Sequence, residues 1–349
     1  MTQPVLTVVM PIYNGEKYVQ EAIDSILVQT FPDFELIIIN DGSTDRSLEI
    51  ITSYTDTRIR ILNNKKNQGI PYNRNLGLKE AKGDFLCWAD CDDLSLPERF
   101  DRQVRFLRNN SEFGGCGTWL ERFKGSHTIG ILKAIENSEE IRASLLFRPA
   151  TIPNATAMLR LSEIKKHKLW YNSDLPISED YDFIFRCSRV MKFSNIQEVL
   201  YKYRDSETSI MKKFENQEEK RYDIKKIIYR QVLSTLAIKT TEVDLKTHDN
   251  TCSINLFSRF HDFKDSYHWL KKIKLANKIE GTFDSKALNK ILADQFFYTA
   301  KKASKFGFKT LLFFIFKSLT NNWGLHPIRI TKLAIRCAIK YDKFEYKNG

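Results

Sequence analysis

Three carboxylates fall within four positions at Asp90, Asp92 and Asp93. Placed side by side they repel one another, and they are tolerable when solvated or when a hard cation neutralises them. Magnesium and manganese take oxygen ligands, often one or two carboxylates together with a substrate's phosphates. The cluster reads either as the seat of a divalent cation (Mn2+ or Mg2+) holding a diphosphate, or as a solvated acidic loop with Asp93 capping a helix. Upstream, Asn40–Asp45 reads as a turn and helix cap. Asp41, just past an apolar run, could instead accept the ring N–H of a nucleobase. Tyr13, before Asn14 and Gly15, sits in a turn and could stack on such a base. Two further acids, Glu179 and Asp180, follow Ser178 at the start of a helical pattern, where the helix dipole favours negative charge.

The elements that must position these residues alternate in type. Leu6–Met10 and Glu35–Ile39 are continuous apolar runs of strand length, Ile59–Leu62 is a third, and Phe85–Ala89 is a fourth that ends in the carboxylate cluster. Between them lie helical patterns: Tyr18 to Leu27, a helix entered from the Asp41–Asp45 turn with Ser43 or Thr44 as its cap, and Asn73–Lys82, stopped by Gly83. Pro97 opens another, running to about Arg108. This order predicts an α/β fold with a mostly parallel sheet and helices on both faces. Ligands in such folds sit beyond the carboxyl ends of the strands. The polar clusters after strands one, two and four therefore gather at one edge. Further on, Gly114–Phe123 and Pro153–Leu161 read as strands and Ser178–Val190 as a helix. Past about residue 210 the chain reads as helical, Lys-rich and aromatic.

The chain has 349 residues, room for one large domain or two. Apolar residues at 42% and charged residues at 28% exclude wholesale disorder and fibre, and 14 Gly with 9 Pro exclude collagen-like composition. Six cysteines without a CxxC pair argue against a zinc ribbon or thioredoxin-type site and for reduced thiols in a cytosolic protein. The longest apolar runs, Val5–Met10 and Leu311–Phe316, are far short of the about 20 residues of a membrane span. The expectation is a cytoplasmic protein with at most a peripheral contact at the membrane. Residues 1–209 hold 27 Lys+Arg and 29 Asp+Glu, whereas residues 210–349 hold 28 and 14, so the net charge of +12 is −2 plus +14. A neutral front and a basic back suggest two jobs, the back facing something anionic.

Four segments, Val9–Gly15, Asn40–Asp45, Asn67–Gly69 with Arg74–Gly77, and Asp90–Asp93, occur in an order and spacing that resembles the family 2 inverting glycosyltransferases of GT-A fold. The resemblance covers roughly residues 5–205. It implies a GT-A catalytic domain over 1–209, followed by a helical basic region over 210–349. It also implies that Asp41 recognises uracil, that Tyr13 packs on the base, and that Asp90 and Asp92 are the first and last acids of a DxD motif. In the family the last of these usually holds the metal on the diphosphate and the first touches the ribose or the metal shell, with Asp93 assisting. Arg74 falls in a segment lining the donor pocket. The pair Glu179-Asp180 matches the one that supplies the general base, Asp180 as base and Glu179 as its orienting neighbour. Many relatives carry a His shortly after a Tyr-Arg pair. Here Tyr203-Arg204 is followed by Asp205–Ser209 without one, which leaves water or Asp205 as a further metal ligand, or a site with fewer ligands.

In the C-terminal region Arg329, Lys332, Arg336, Lys340 and Lys343 share one helical face, and Ile330, Ala334, Cys337, Tyr341 and Phe344 share another. With Leu311–Phe316 this reads as an interfacial membrane contact, or as a helix packing its apolar face on the catalytic domain. The resemblance implies inverting, metal-dependent transfer of a sugar from a nucleotide-sugar, UDP-linked by expectation, to a saccharide or lipid-linked saccharide. The setting is cell-surface polysaccharide or lipopolysaccharide synthesis at the inner membrane face. A sugar nucleotidyltransferase usually shows a Gly-rich, Lys/Arg-bearing phosphate loop after the first strand, and Pro11–Gly15 is not one. A nucleic-acid-binding protein would suit the charge, but the basic excess avoids the carboxylate-rich front and no recognised binding motif is found, so no nucleic-acid partner is expected.

Overall fold

The computed structural model describes residues 3–206 and 217–341. The expected boundary at 209 and the expected contributions of Lys343 and Phe344 lie outside the described residues. Two compact units form: the first from residues 3–141, 149–206 and 217–221, the second from 142–148 and 222–341.

The first unit begins with four parallel strands, β1 (Leu6–Ile12), β2 (Phe34–Asn40), β3 (Ile59–Asn63) and β4 (Phe85–Trp88), side by side as β3-β2-β1-β4. The unbroken run Leu36–Ile39 is buried throughout, as a strand covered on both faces requires. Helix α1 (Val19–Leu27) buries Val19, Ala22, Ile23 and Ile26, the stripe that a 3.6-residue period creates. Helices α2 (Ser47–Thr52) and α3 (Ile70–Glu80) follow β2 and β3. α3 approaches β1 so closely that a Cβ on Gly77 would stand 2.5 Å from Val9 Cγ1.

Beyond β4 come β5 (Leu94–Ser95), α4 (Arg99–Asn109), β6 (Phe113–Lys124), β7 (His127–Leu132), α5 (Ser138–Ser144), β8 (Met158–Arg160), α6 (Leu161–Lys166), α7 (Glu179–Ser188) and β9 (Lys192–Arg204). The sheet continues β4-β8-β6-β9-β5, with β7 hairpinned on β6. β6 and β9 are parallel, but β4–β8, β6–β8, β6–β7 and β5–β9 are antiparallel. The sheet is thus parallel in its first half and mixed in its second. The strand expected over Pro153–Leu161 is a 3₁₀ turn at Asn154–Thr156 followed by the short β8. β9 carries no clean alternation, because its register against β6 shifts around Thr118–Leu120.

One buried arginine ties the carboxylate loop to this frame. Arg99 donates to the Ser95 hydroxyl (2.9 Å), to the carbonyls of Ala155 (2.8 Å) and Trp88 (3.2 Å), and to Gln103 Oε1 (3.1 Å). The end of β4, the start of α4 and the 3₁₀ turn are held together by one side chain.

The second unit is helical: α8 (Glu218–Ser234), α9 (Glu242–Cys252), α10 (Phe260–Glu280), α11 (Ser285–Lys302), α12 (Phe308–Asn321) and α13 (Pro327–Ala338). α8 begins in the first unit and continues into this one. Thr241 and Asp244 make a capping box at the start of α9. His248 is buried, accepts the Trp269 indole N–H at 2.9 Å, and is pushed down to about 4 by burial, so it is neutral. Leu145, Leu146 and Phe147 are buried too, the last with its ring 5.7 Å from His248. The expected apolar ridge of α13 turns inward: Cys337 is buried, with Leu333, while Ile330, Ala334 and Tyr341 are half-buried. A different row, Ile328, Ile335 and Ile339, is exposed. Among the described residues no helix is long and apolar enough to cross a membrane.

Gly77→Ala should destabilise the protein by about 1–3 kcal/mol, the usual cost of overpacking, because buried Val9 is β-branched and stiff. A urea midpoint equal to that of the wild type would show that α3 can shift outward freely.

Candidate active site

The loops after β1 and β2 are laced together. Asn14 N–H donates to Ser43 Oγ (3.0 Å), Thr44 N–H to Asn14 Oδ1 (2.8 Å), Gly15 N–H to Ser47 Oγ (2.8 Å) and Glu16 N–H to Asp45 Oδ2 (2.9 Å). Tyr13 is carried at this junction and is exposed. Asp41, at the end of β2, is buried and organises the segment before α3. Its Oδ1 accepts from Asn64 Nδ2 and Gln68 N–H, and its Oδ2 from Gly69 N–H, each at 2.9 Å. Gly69 has φ +88°, a conformation that favours glycine. A carboxylate has about four acceptor positions, so Asp41 retains capacity beyond these three bonds.

The loop after β4 carries the acids, and β9 fixes it. Asp90 N–H donates to the Tyr201 hydroxyl at 3.4 Å. Arg204 N–H donates to Asp93 Oδ1 (2.7 Å), Arg204 Nε to the Asp92 carbonyl (2.7 Å), and Arg204 Nη2 to Glu21 Oε2 (2.6 Å). The guanidinium also lies over the rings of Tyr18 and Phe123. Asp93 is buried in this arrangement, and burial, then the charges of Asp90 and Asp92, hold its carboxyl well above the usual range. Of the three acids it is the one turned into the fold, while Asp90 and Asp92 are half-buried. Asp205 lies 3.9 Å from Arg122. Ser206 also reaches the cluster, its hydroxyl donating to Asp92 Oδ2 at 2.8 Å.

Glu179 and Asp180 open α7 after Ser178, whose φ of +60° is uncommon for a non-glycine residue. Glu179 is buried and meets Arg74 Nη1 at 2.5 Å. Arg74 in turn lies 5.7 Å from the Trp88 ring centre and 5.3 Å from that of Tyr171, which stacks on Phe183. Burial opposes the charge of Arg74, but Glu179, with Asp90 and Asp180 near, holds it above its ordinary value. Burial pushes Glu179 up to about 7; Arg74 pulls it down and Asp180 pushes it up. Burial also raises Asp90, with Asp92 and Asp180 repelling it and Arg74 opposing them. Thus Asp90, Glu179 and Asp180 gather around Arg74, with Asp92 beside Asp90, and Arg99 also draws Asp90 down. Asp180 Oδ1 accepts the Tyr181 N–H at 2.8 Å, and the residue is half-buried.

Residues 7–166 match the model of glycosyl transferase family 2. An uncharacterized glycosyltransferase of Methanocaldococcus jannaschii is 34% identical over 213 residues, covering 58% of this chain and 72% of that one. The chain belongs to glycosyl transferase family 2. A second uncharacterized glycosyltransferase, from Haemophilus influenzae, is 34% identical over 214 residues, 58% of this chain and 65% of its own length. One from Rickettsia typhi is 28% identical over 300 residues, 83% and 90% of the two chains. Residues 1–349 of S. aureus TarS share the fold, with a TM-score of 0.56 at 19% identity over 91% of this chain and 89% of that one. TarS has also been solved with UDP and with UDP-GlcNAc. The GT-A architecture expected from the motifs is the one observed.

In this family 2 chain the loops carrying Tyr13 and Asp41 are joined by hydrogen bonds, and Arg74, Asp90, Asp92, Glu179 and Asp180 share one electrostatic neighbourhood. Sequence reasoning did not foresee Ser206, Tyr201 or the Arg74–Glu179 bond. No local pattern marks these, since the partners lie about a hundred residues apart.

Arg74→Gln should destabilise the protein more at pH 8 than at pH 6. Glu179 has a raised pKa, so the stability linked to its protonated form is present at low pH and lost as pH rises through about 7. At pH 6 Glu179 can stay neutral without Arg74. At pH 8 it must bury an uncompensated charge or take up a proton against the solution, costing about 3 kcal/mol or more. Denaturant titrations at the two pH values measure the difference, and a pH-independent loss would remove the charge pair as its cause.

Proposed function

We propose that the chain transfers a sugar, with inversion, from a UDP-linked donor to a saccharide or lipid-linked saccharide acceptor in cell-surface polysaccharide or lipopolysaccharide synthesis. Its place is the cytoplasmic face of the cell membrane. The first unit carries the chemistry. The observation that supports this reading most is the meeting of the Asp90–Asp92 loop with Glu179 and Asp180 around Arg74. The TarS complexes with UDP and UDP-GlcNAc support the choice of donor.

Tyr13 offers an exposed ring for the base, and Asp41 a remaining acceptor position for a ring N–H. Asp92 and Asp90 are the residues to hold a divalent cation. Their hard oxygens suit Mg2+ or Mn2+, and their mutual repulsion is what a cation relieves. Among the described residues no group of three His, Cys, Asp or Glu side chains is arranged to hold a metal, so the donor's diphosphate and water complete the set. The chemistry a bound cation supplies is neutralisation of charge on the leaving diphosphate. Asp93, bonded to Arg204 N–H, fixes the loop instead of holding the cation. The acceptor hydroxyl oxygen attacks the anomeric carbon opposite the diphosphate. The anomeric C–O bond to the diphosphate breaks, its electron pair leaves with the nucleotide, and the hydroxyl proton passes to Asp180. Arg74 keeps Glu179 in place beside that base.

Asp180→Asn should leave UDP binding nearly intact and slow transfer by roughly a hundredfold or more, the usual loss with a general base. Calorimetric UDP binding and a transfer assay separate the two effects. Near wild-type turnover in this variant would place the base elsewhere.

Asp92→Ala should abolish nucleotide release from a panel of UDP-, GDP- and dTDP-sugars, on which the wild type works best with UDP-sugars and only with added Mn2+ or Mg2+. Undiminished release in excess EDTA would overturn the cation assignment.

A further inference from the structure

The outward sides of α12 and α13 are apolar where solvent-facing helices are ordinarily polar. Phe308, Leu312, Phe316 and Leu319 are 60–67% exposed, and their spacing puts them on one stripe of α12. Ile328, Ile335 and Ile339 are 59–63% exposed along one side of α13. The opposite sides are buried, through Leu311 and Phe314 on α12 and Leu333 and Cys337 on α13. Both helices rest on α11: Phe314 packs on Phe296 and Phe297, and Arg329 pairs with Asp294 at 2.5 Å. They run antiparallel, because the end of α13 returns to the start of α12. A Cβ at Gly307 would lie 3.7 Å from the Cys337 carbonyl and 3.8 Å from the Lys340 side chain, and Ser304 Oγ donates to the Tyr341 carbonyl at 3.0 Å.

Charge identifies what such a surface fits. Between Asp294 and Asp342 the sequence has no acid and nine Lys or Arg. Lys309, Lys332 and Lys340 are exposed and stand next to or within the apolar rows. A contiguous exposed apolar patch marks an interaction site. A second copy of the chain would bring the same positive charge to the contact, and a nucleic acid would leave the apolar rows in water. An anionic bilayer satisfies both features, its headgroups meeting the lysines and its acyl boundary the apolar rows.

We propose that the outward faces of α12 and α13 dock on an anionic lipid bilayer, both helices lying in the plane of the interface. The proposal adds a surface to the membrane location in the proposed function. It asks nothing of catalysis, so the two readings fail separately. The test is co-sedimentation of the full chain with phosphatidylcholine vesicles, with and without about a third phosphatidylglycerol, at low and high salt. The variants are Leu312→Gln with Phe316→Gln, and Lys309→Gln with Lys332→Gln and Lys340→Gln. All change exposed positions, and thermal melts check that both variants fold. The wild type should bind the anionic vesicles at low salt. The apolar variant should bind at least tenfold more weakly, and the lysine variant should bind more weakly with a flatter salt dependence. Nucleotide release from the donor should be unchanged in both. Failure of the folded wild type to bind anionic vesicles at low salt would overturn the proposal. So would unchanged binding by the apolar variant. A dimeric wild type made monomeric by the apolar changes, with vesicle binding retained, would assign the face to self-association instead. Absence of donor turnover with vesicle binding intact would count against the proposed function alone.

Discussion

Three carboxyl groups, Asp90, Glu179 and Asp180, face one buried guanidinium with Asp92 beside the first, and much of the first unit answers that constraint. Arg74 cannot neutralise Asp90, Asp92, Glu179 and Asp180 together. The remaining negative charge is distributed by environment: Glu179 bonds Arg74 directly, Asp90 is raised by burial and by its neighbours, and Asp92 accepts a hydroxyl from Ser206. Like charges assembled in a fold lower its stability unless a ligand relieves them, and such arrangements mark functional sites more often than structural ones. In the proposed reaction a bound cation would offset this excess of negative charge and let the donor's diphosphate approach.

Holding these charges in place needs a rigid frame, and that frame is made of cationic and hydroxyl groups outside the cluster. Arg99 fastens the end of β4 to α4 and to the 3₁₀ turn. Arg204 reaches the Asp93 side chain, the Asp92 carbonyl and Glu21 from β9. Arg99 directs its hydrogen bonds at backbone carbonyls and uncharged side chains and offsets part of the charge at Asp90, whereas Arg204 bonds the Asp92 carbonyl, Asp93 and Glu21; both position the loop. On the neighbouring strand ends, Asp41 uses the same logic in reverse, a buried carboxylate ordering backbone N–H groups before α3.

The first half of the fold is legible in the sequence because its strands are apolar runs and α1 carries a clean apolar stripe, whereas α3, with neither stripe nor side-chain cap, begins at Ile70, ahead of the expected Asn73. Leu36–Ile39 and the Val19–Ile26 pattern could hardly form anything else in this order. The second half is less so. β9 pairs with β6 through register shifts, and its inward positions, Tyr201 among them, alternate irregularly with polar ones, so no period announces it. The acids of the site are legible as residue types at strand and helix ends. Their partners are not, since Arg74 meets Glu179 and Ser206 meets Asp92 only after the sheet has brought remote segments together. The inward turn of Cys337 on α13 is a related case. Ile328, Ile335 and Ile339 make a second apolar row on the same helix, and sequence alone does not say which row the core takes.

Adjacent acids at a helix start look interchangeable in sequence, yet their surroundings differ. Glu179 is buried, paired with Arg74 and raised to about 7, whereas its neighbour Asp180 is half-buried and accepts a backbone N–H at the first turn of α7. Two carboxyl groups with different burial and different partners can divide roles between them. In the proposed reaction the division is physical. Glu179 is buried and already engaged by Arg74, which leaves its oxygens little access to an acceptor hydroxyl. Its neighbour carries no such obligation, and solvent reaches it. In the proposed reaction Arg74, by engaging Glu179, leaves Asp180 as the carboxylate to take the acceptor's proton, and it links Glu179 to Trp88, the last residue of the strand that leads into the Asp90–Asp93 loop.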